Sequence, residues 1–401
     1  MTEASHARSR SAATRRSLLR RRAAWSPILV RRELLVHTPR LLLDVARLDA
    51  NFARLQAKLT ALGVSLRQHV KTGKSIDVAR RASPAGTGPI TVSTLAEAEY
   101  FASHGVTDIL YAVGIEPGKL DHVIDLRRRG VDLAVITDSV EGARTVAARG
   151  AGIPVLIEID SDGHRAGVKP GSPLLIVIAR ALAPGAVLRG VMTHAGESYN
   201  CTSTAAITAM AEQERRAVVV SADALRAAGV DCPVVSVGST PTAHFAARLD
   251  GVTEVRAGVF AFMDLTMAGL GVCTTGDIAI SVLVSVIGHQ REKGWILTDG
   301  GWMALSRDRG RAPGAPDVGY GVVCDEAGTP IGDLVMHAAN QEHGMISSRG
   351  GAAIDFARFP LGRRLRVLPN HACATAAQHA EYVLVNAGAL DGQRWPRING
   401  W

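Results

Sequence analysis

Three groups of residues carry types and spacings suited to chemistry. The first is Arg67-Gln68-His69-Val70-Lys71-Thr72-Gly73-Lys74-Ser75, which closes an apolar stretch. A lysine is ordinarily a solvated surface residue. One inside an apolar strand is unusual, because burying an ammonium is expensive. Desolvation lowers the pKa of a lysine and makes it a useful amine nucleophile or base. The second group is Gly238-Ser239-Thr240-Pro241-Thr242. Its plain interpretation is a turn, but small residues with free N–H groups ahead of a helix also make a phosphate cradle. A lysine together with a phosphate cradle suggests a phosphorylated aldehyde cofactor, pyridoxal phosphate. The third group is His371-Ala372-Cys373, whose imidazole nitrogen and thiolate sulfur are zinc donors. That spacing alone equally describes a buried Cys beside a hydrogen-bonded His. Further polar runs are Gly163-His164-Arg165, Thr193-His194 with Tyr199, Glu254-Val255-Arg256-Ala257-Gly258 and Gln341-Glu342-His343-Gly344.

The elements that must position these groups alternate. Strand candidates lie at 64–71, 89–94, 108–113, 132–137, 154–160, 188–194, 233–238 and 253–260. Helical patterns separate them at Leu95–His104, Lys119–Arg129, Val140–Arg149, Leu174–Leu182 and Thr204–Ala228, after a first helix at 45–62. Strands alternating with helices imply parallel strands with crossover helices. Eight such units fit a (β/α)8 TIM barrel, with a doubly wound open sheet as the alternative. In such a barrel the chemistry sits on loops after the strand C-termini, where most of the polar runs fall. The apolar run 41–44 precedes the first helix and can join it. From 272 onward short alternating segments appear, at 278–287, 294–299, 320–323, 332–337, 364–368 and 382–385, which indicates a β-rich second domain. The expected organisation is a disordered basic tail over 1–32, a barrel with its leading strand over 33–271, and a β-rich domain carrying the His-x-Cys pair over 272–401.

Composition narrows the class. At 47% hydrophobic and 20% charged residues over 401 positions, the chain is globular rather than disordered or fibrous. The net charge of +8 would suit a nucleic-acid binder, but residues 1–32 hold nine Arg against Glu3 alone. The remaining basic and acidic residues cancel, and aromatics are only 4%, so no nucleic-acid partner is expected. No apolar run is long enough for a membrane span. In the tail, Thr14-Arg15-Arg16-Ser17-Leu18-Leu19 faintly resembles a twin-arginine export signal, but Arg20–Arg22 and Arg31–Arg32 interrupt the apolar stretch that must follow. Its composition also suits an organellar transit peptide. Cysteines at 201, 232, 273, 324 and 373 are odd in number and widely spaced, which fits a reducing cytoplasm better than a disulfide framework.

Taken together, the motifs resemble the D-serine dehydratase-like family of pyridoxal-phosphate enzymes. That family includes D-threonine aldolase and enzymes that cleave or dehydrate 3-hydroxyaspartate, and it belongs to the alanine-racemase-like fold class (fold type III). The resemblance rests on "HTPRLLLD" (37–44), "RQHVKTGKS" (67–75), "ITVSTLAEAE" (90–99), "GHRAGV" (163–168), "GSTPT" (238–242), "EVRAGVFAFMD" (254–264), "QEHG" (341–344) and "PNHACAT" (369–375), in the family's order. It implies a barrel followed by a β-domain, a homodimer, and Lys71 as the catalytic, cofactor-bearing lysine in preference to Lys74. It places Gly238, Ser239, Thr240, Ala257 and Gly258 near the cofactor phosphate. Arg165 and Tyr199 would stand near the pyridine ring or Lys71, with His194 also among the cofactor's contacts. His371 and Cys373 match the metal pair. Three departures bear on substrate preference and packing: Gly73 replaces a His, Gln68 a common Pro, and Phe260 a frequent Tyr.

The resemblance implies a lyase acting on a small amino-acid substrate. Aldolase relatives tend to show His-x-Asp, and zinc-dependent dehydratase relatives His-x-Cys. A carboxylate suits Mn²⁺ or Mg²⁺, whereas a thiolate selects Zn²⁺. Cys373 therefore favours zinc and dehydration of a D-3-hydroxy amino acid such as D-serine, D-threonine or 3-hydroxyaspartate, giving a 2-keto acid and ammonia. Retro-aldol cleavage, racemisation and a non-enzymatic cofactor carrier are the alternatives.

Overall fold

Short apolar runs, each ended by polar or small residues, give the barrel strands. The structure, a computed structural model, describes residues 37–83, 87–386 and 388–401, so the tail expected over 1–32 lies outside the described residues. After β1 (Arg40–Asp44) come β2 (Ser65–His69), β3 (Ile90–Val92), β4 (Asp108–Gly114), β5 (Asp132–Thr137), β6 (Ile153–Ile159), β7 (Ala186–Thr193), β8 (Val234–Val237) and β9 (Glu254–Ala257). Strands β2 to β9 are parallel in sequence order, and β9 pairs back to β2, which closes the barrel and rules out the open sheet. Helices cover the outside, among them Val45–Ala61, Leu95–Ser103, Leu120–Arg128, Val140–Ala147, Leu174–Leu182 and Thr204–Ala227. Their starts are capped by side chains already visible in the sequence. Thr94 accepts from the Glu97 amide at 3.0 Å, and Glu97 returns the bond to the Ser93 amide at 2.9 Å.

Alternation along the strands sorts residues to two sides. Ile109, Leu133, Val135, Val155, Ile157 and Val191 join the helices in the main core. Leu110, Ala134, Ile136, Leu156 and Met192 form a separate cluster that fills one side of the barrel interior. The other side is polar and paired. Ser236 donates to Glu254 at 2.7 Å, and Arg67 links Glu254 and Asp108 at 2.8 Å each.

The β-rich part comprises β10 (Ile280–Gln290), β11 (Trp295–Thr298), β12 (Val322–Cys324), β13 (Pro330–Ala339), β14 (Gly344–Ser348), β15 (Arg364–Leu368), β16 (Glu381–Asn386) and β17 (Ala389–Pro396). The sheet order is β11-β14-β13-β12-β15-β10-β1-β16-β17. The leading strand expected with the barrel is therefore hydrogen-bonded into this second sheet, antiparallel to β10 and parallel to β16. The run 41–44 is strand rather than helix. Leu41, Leu42 and Leu43 are all buried, as in a central strand covered on both faces. Strands β14 and β17 had no counterpart among the expected segments, because Gly-Met-Ile-Ser-Ser and the polar β17 lack apolar alternation. Residues 37–401 pack as one compact unit. Among the described residues no helix is long and apolar enough to cross a membrane.

Candidate active site

The C-terminal ends of the barrel strands open into a cavity of about 460 Å³. Lys71 enters after β2, Arg165 from the loop after β6, His194 and Tyr199 after β7, Gly238, Ser239 and Thr240 after β8, and Ala257 and Gly258 at the end of β9. His371 and Cys373 reach the same cavity from the β-rich part, so every residue expected at the site lines it. Lys71 differs from expectation in one respect. It stands two residues beyond β2 with its side chain open to the cavity, so it is not an ammonium buried in a strand. Lys74 is turned elsewhere. With φ of 46° it pairs its Nζ with the buried Glu97 carboxylate at 3.0 Å and does not line the cavity.

The rim formed by β8 and β9 is tight. A Cβ at Gly238 would lie 1.8 Å from the Arg256 carbonyl oxygen, and one at Gly258 would lie 3.0 Å from the His69 carbonyl. Only glycine fits at 238. Ser239 caps the helix Thr240–Phe245 through the Thr242 amide at 3.2 Å, leaving the first-turn amides without intrahelical partners. Glu214, buried on the long helix Thr204–Ala227, accepts from the amides of Ala195 at 3.1 Å and Gly238 at 2.9 Å. It thereby ties the His194 loop to the rim, and burial raises its carboxyl pKa.

The imidazoles on this side are held neutral. His194 donates from Nδ1 to the Gly238 carbonyl at 2.7 Å, and burial lowers its pKa to about 3. Burial, with Lys71 and Arg256 nearby, takes His69 well below the usual range. Burial raises the Tyr199 phenol, which stays protonated. Arg165 sits at the mouth, 3.5 Å from Glu158, whose carboxyl is raised by burial. Arg256 also lines the cavity, bonded to the Thr193 carbonyl and Ser236 and close to Glu254, Glu214 and Glu158. In the sequence Arg256 stands out only as part of the run 254–258; its spacing of two from Glu254 along β9 puts the two side chains on one face of the strand.

The His371–Cys373 pair is held from several directions. His371 donates from Nδ1 to Asp308 at 2.6 Å and also hydrogen-bonds Cys373, so its Nε2 becomes a donor atom when a metal ion replaces the ring's second proton. Cys373 lies 3.2 Å from the Thr72 hydroxyl. Burial opposes charge on both residues, yet each stabilises the other's charged form. The imidazole is lifted to about 10 with help from Asp308, and the thiol is lowered. Asp264 accepts from the amide of Ala372, between the two, at 2.9 Å. Asp308 and Asp264 were not singled out from the sequence, because each acts across more than sixty positions. Among the described residues no group of three His, Cys, Asp or Glu gathers as a ligand set, so the fit is to a metal held by two protein donors. An imidazole nitrogen, once deprotonated, and an acidified thiol suit a borderline-soft ion. An accessible lysine beside a glycine-lined rim likewise fits a phosphorylated aldehyde.

Other expectations fall away from the cavity. Gln341, Glu342 and His343 are exposed in the turn between β13 and β14. Phe260 is a core residue, edge-on to Phe52 at 5.0 Å. Gly73 faces Val78, 3.0 Å from where a Cβ would stand.

Residues 43–266 match the alanine racemase N-terminal domain, and residues 279–385 match the putative serine dehydratase domain. The chain is 54% identical to D-threo-3-hydroxyaspartate dehydratase of Delftia sp. (strain HT23), over 92% of this chain and 99% of that one. The solved structure of that enzyme superposes with a TM-score of 0.89 at 53% identity, covering 92% of this chain and 99% of that one. D-serine dehydratase of Dictyostelium discoideum is 29% identical over 88% of this chain and 94% of its own. D-threonine aldolase from Filomicrobium marinum superposes with a TM-score of 0.77 at 25% identity, covering 90% and 95%. With the barrel and the β-rich domain both matched by these relatives, the chain belongs to the D-serine dehydratase-like family of pyridoxal-phosphate enzymes with the alanine-racemase fold.

Proposed function

We propose that this chain is a pyridoxal-phosphate- and zinc-dependent dehydratase of D-3-hydroxy amino acids, with D-threo-3-hydroxyaspartate as the first substrate to try. The observation that carries the reading is the 3.2 Å contact between Thr72 and Cys373, which sets the metal donors against the residue that follows Lys71. An amine and a metal pair brought next to each other in one cavity suit a substrate whose α-carbon and β-hydroxyl are handled side by side. The high identity to the Delftia dehydratase supports this substrate class, and a Cys-to-Ala mutant of that enzyme is known in a metal-free form.

When bound, pyridoxal phosphate supplies an electron sink at the α-carbon, and zinc supplies a Lewis acid for the departing hydroxyl. The chain's own residues do the rest. Lys71 Nζ, open to the cavity, would hold the cofactor carbonyl and would serve as the base for the substrate's α-proton. Gly238, Ser239, Thr240, Ala257 and Gly258 cradle the phosphate, with amides rather than charged side chains. His194, neutral and fixed by its Nδ1–H bond to Gly238, presents an unprotonated Nε2 to the cavity. Tyr199 keeps its proton. Arg165, at the mouth, suits a substrate carboxylate or the ring edge. Asp308 orients His371, and Thr72 lies against Cys373, so that the two metal donors converge. The thiolate favours Zn²⁺ over the harder Mn²⁺ or Mg²⁺.

The reading includes a cytoplasmic enzyme assembled as a homodimer. It draws on the five free cysteines and on the family resemblance respectively. The deciding experiment incubates purified protein with a panel of D- and L-3-hydroxy amino acids. A 2-keto acid with ammonia from the D-series is the expected outcome. Glycine with an aldehyde or glyoxylate would replace the reading with an aldolase, and an inverted amino acid with a racemase.

A further inference from the structure

We infer that Arg397 is a positioning residue that locks the Lys71 loop to the metal-bearing helix and so sets the spacing between the two halves of the site. Its side chain is buried at 8% exposure. A buried guanidinium normally meets a carboxylate. Here its partners among the described residues are neutral oxygens. Nε donates to the Gly73 carbonyl at 3.2 Å and to the Tyr382 hydroxyl at 2.8 Å. Nη1 donates to the carbonyls of Ala376 and His379, the latter at 2.8 Å, and to Asn399 at 3.2 Å.

The addresses of those oxygens give the residue its role. Gly73 lies two positions after Lys71. Ala376 closes the helix Ala372–Ala376, three positions after Cys373. One rigid fork therefore holds the loop bearing the amine and the helix bearing the thiol, below the point where Thr72 touches Cys373. Tyr382, fully buried, doubles the grip by donating to the Gly73 carbonyl at 2.6 Å. The Ile398 amide adds a bond to the Lys74 carbonyl at 2.8 Å. Lysine cannot replace this fork, because one ammonium head lacks the planar spread that reaches oxygens on two segments.

The inference rests on the proposed roles of Lys71 and of the His371–Cys373 pair. The test uses the full chain with pyridoxal phosphate and zinc at saturation, as Arg397→Ala, Arg397→Lys and Tyr382→Phe. Expected for Arg397→Ala are a folded protein, cofactor still fixed to Lys71 by borohydride, and one zinc per chain. Its kcat should fall about 10- to 100-fold, since misplacement by about 1 Å is costly, while KM changes by less than about twofold. Tyr382→Phe should lose less than Arg397→Ala, and Arg397→Lys should recover only part. With cobalt(II) in place of zinc, the thiolate-to-metal absorption should shift in Arg397→Ala without any substrate present. An unchanged kcat and cobalt spectrum in Arg397→Ala, or a loss that merely tracks the folded fraction, overturns the inference. If Arg397→Ala does not fold, Tyr382→Phe decides, because it preserves packing; parent-like kcat and cobalt absorption would then overturn it. Failure to label Lys71 in the parent chain overturns the cofactor reading and this inference with it, whereas failure of the clamp leaves that label in place.

Discussion

The two walls of the cavity treat the same residue type in opposite ways. On the barrel wall, His194 and His69 are kept neutral by burial and nearby cations. On the wall from the β-rich part, Cys373 and Asp308 favour the charged imidazole of His371, whose extra proton a bound cation would replace. The barrel wall is built from strand ends and helix starts, where amides and glycines stand among the cations Lys71, Arg165 and Arg256. The other wall is the start of the short helix Ala372–Ala376, pinned by distant carboxylates, Asp308 on His371 and Asp264 on the Ala372 amide. The difference teaches a division of labour. One wall can hold an organic cofactor without competing for its protons. The other can concentrate negative donors for a cation.

The comparison breaks most severely at the lysine. Lys71→Ala should abolish turnover and the visible absorbance of lysine-bound cofactor, whereas Lys74→Ala should retain both, because Lys74 is engaged with Glu97. Borohydride reduction followed by peptide mapping checks the assignment. Label on Lys74 and none on Lys71 would reverse it.

The next largest effect belongs to the metal wall. Cys373→Ala should lose zinc and most ammonia release, while cofactor absorbance stays. Chelator treatment of the parent chain should do the same, with recovery on added zinc. A metal-free chain that dehydrates at the full rate would remove the metal from the mechanism. Asp308→Asn should act more mildly, since it removes an orienting carboxylate rather than a donor. A loss of roughly 10- to 100-fold in zinc affinity is expected, read by competition with a chromogenic chelator. Unchanged affinity would mean that the His371–Asp308 bond does not orient the ligand.

The two walls also differ in how legible they were. Barrel strands such as β5 and β6 could be read from apolar runs because they are buried along nearly their whole length, so composition agrees with the final structure. The polar runs at their ends could be placed on the cavity from the fold's geometry, whereas the roles expected of single residues came from the family resemblance. Lys71 itself was misjudged as buried, since the strand stops at His69 and the chain turns the amine into the open cavity. On the other wall the pair was legible only as a motif. Asp308, Asp264 and Arg397 act through contacts 63, 108 and 324 positions apart in sequence, which no local pattern encodes. The strand β1 was missed as a member of the second sheet for the same reason: its neighbours β10 and β16 lie more than two hundred residues away.

The smallest effect sharpens the comparison on the barrel wall alone. His194 has a folded-state pKa of about 3, below the value near 6.5 expected when unfolded. Between those values the unfolded chain binds the extra proton, so the stability that His194 contributes is complete above about pH 6.5 and is lost as pH falls toward 3. At pH 5 the loss is on the order of 2 kcal/mol. Urea unfolding of the cofactor-free, metal-free protein at a series of pH values should show parent stability falling more steeply than that of His194→Gln below pH 6.5. His69 contributes the same sign in both proteins and cancels in the difference. Gln can still donate toward the Gly238 carbonyl but does not titrate, so the two curves should draw together as acid removes the advantage of the imidazole. Parallel curves would mean that His194 is already protonated, and the barrel wall would lose the neutrality that sets it apart from the wall around His371.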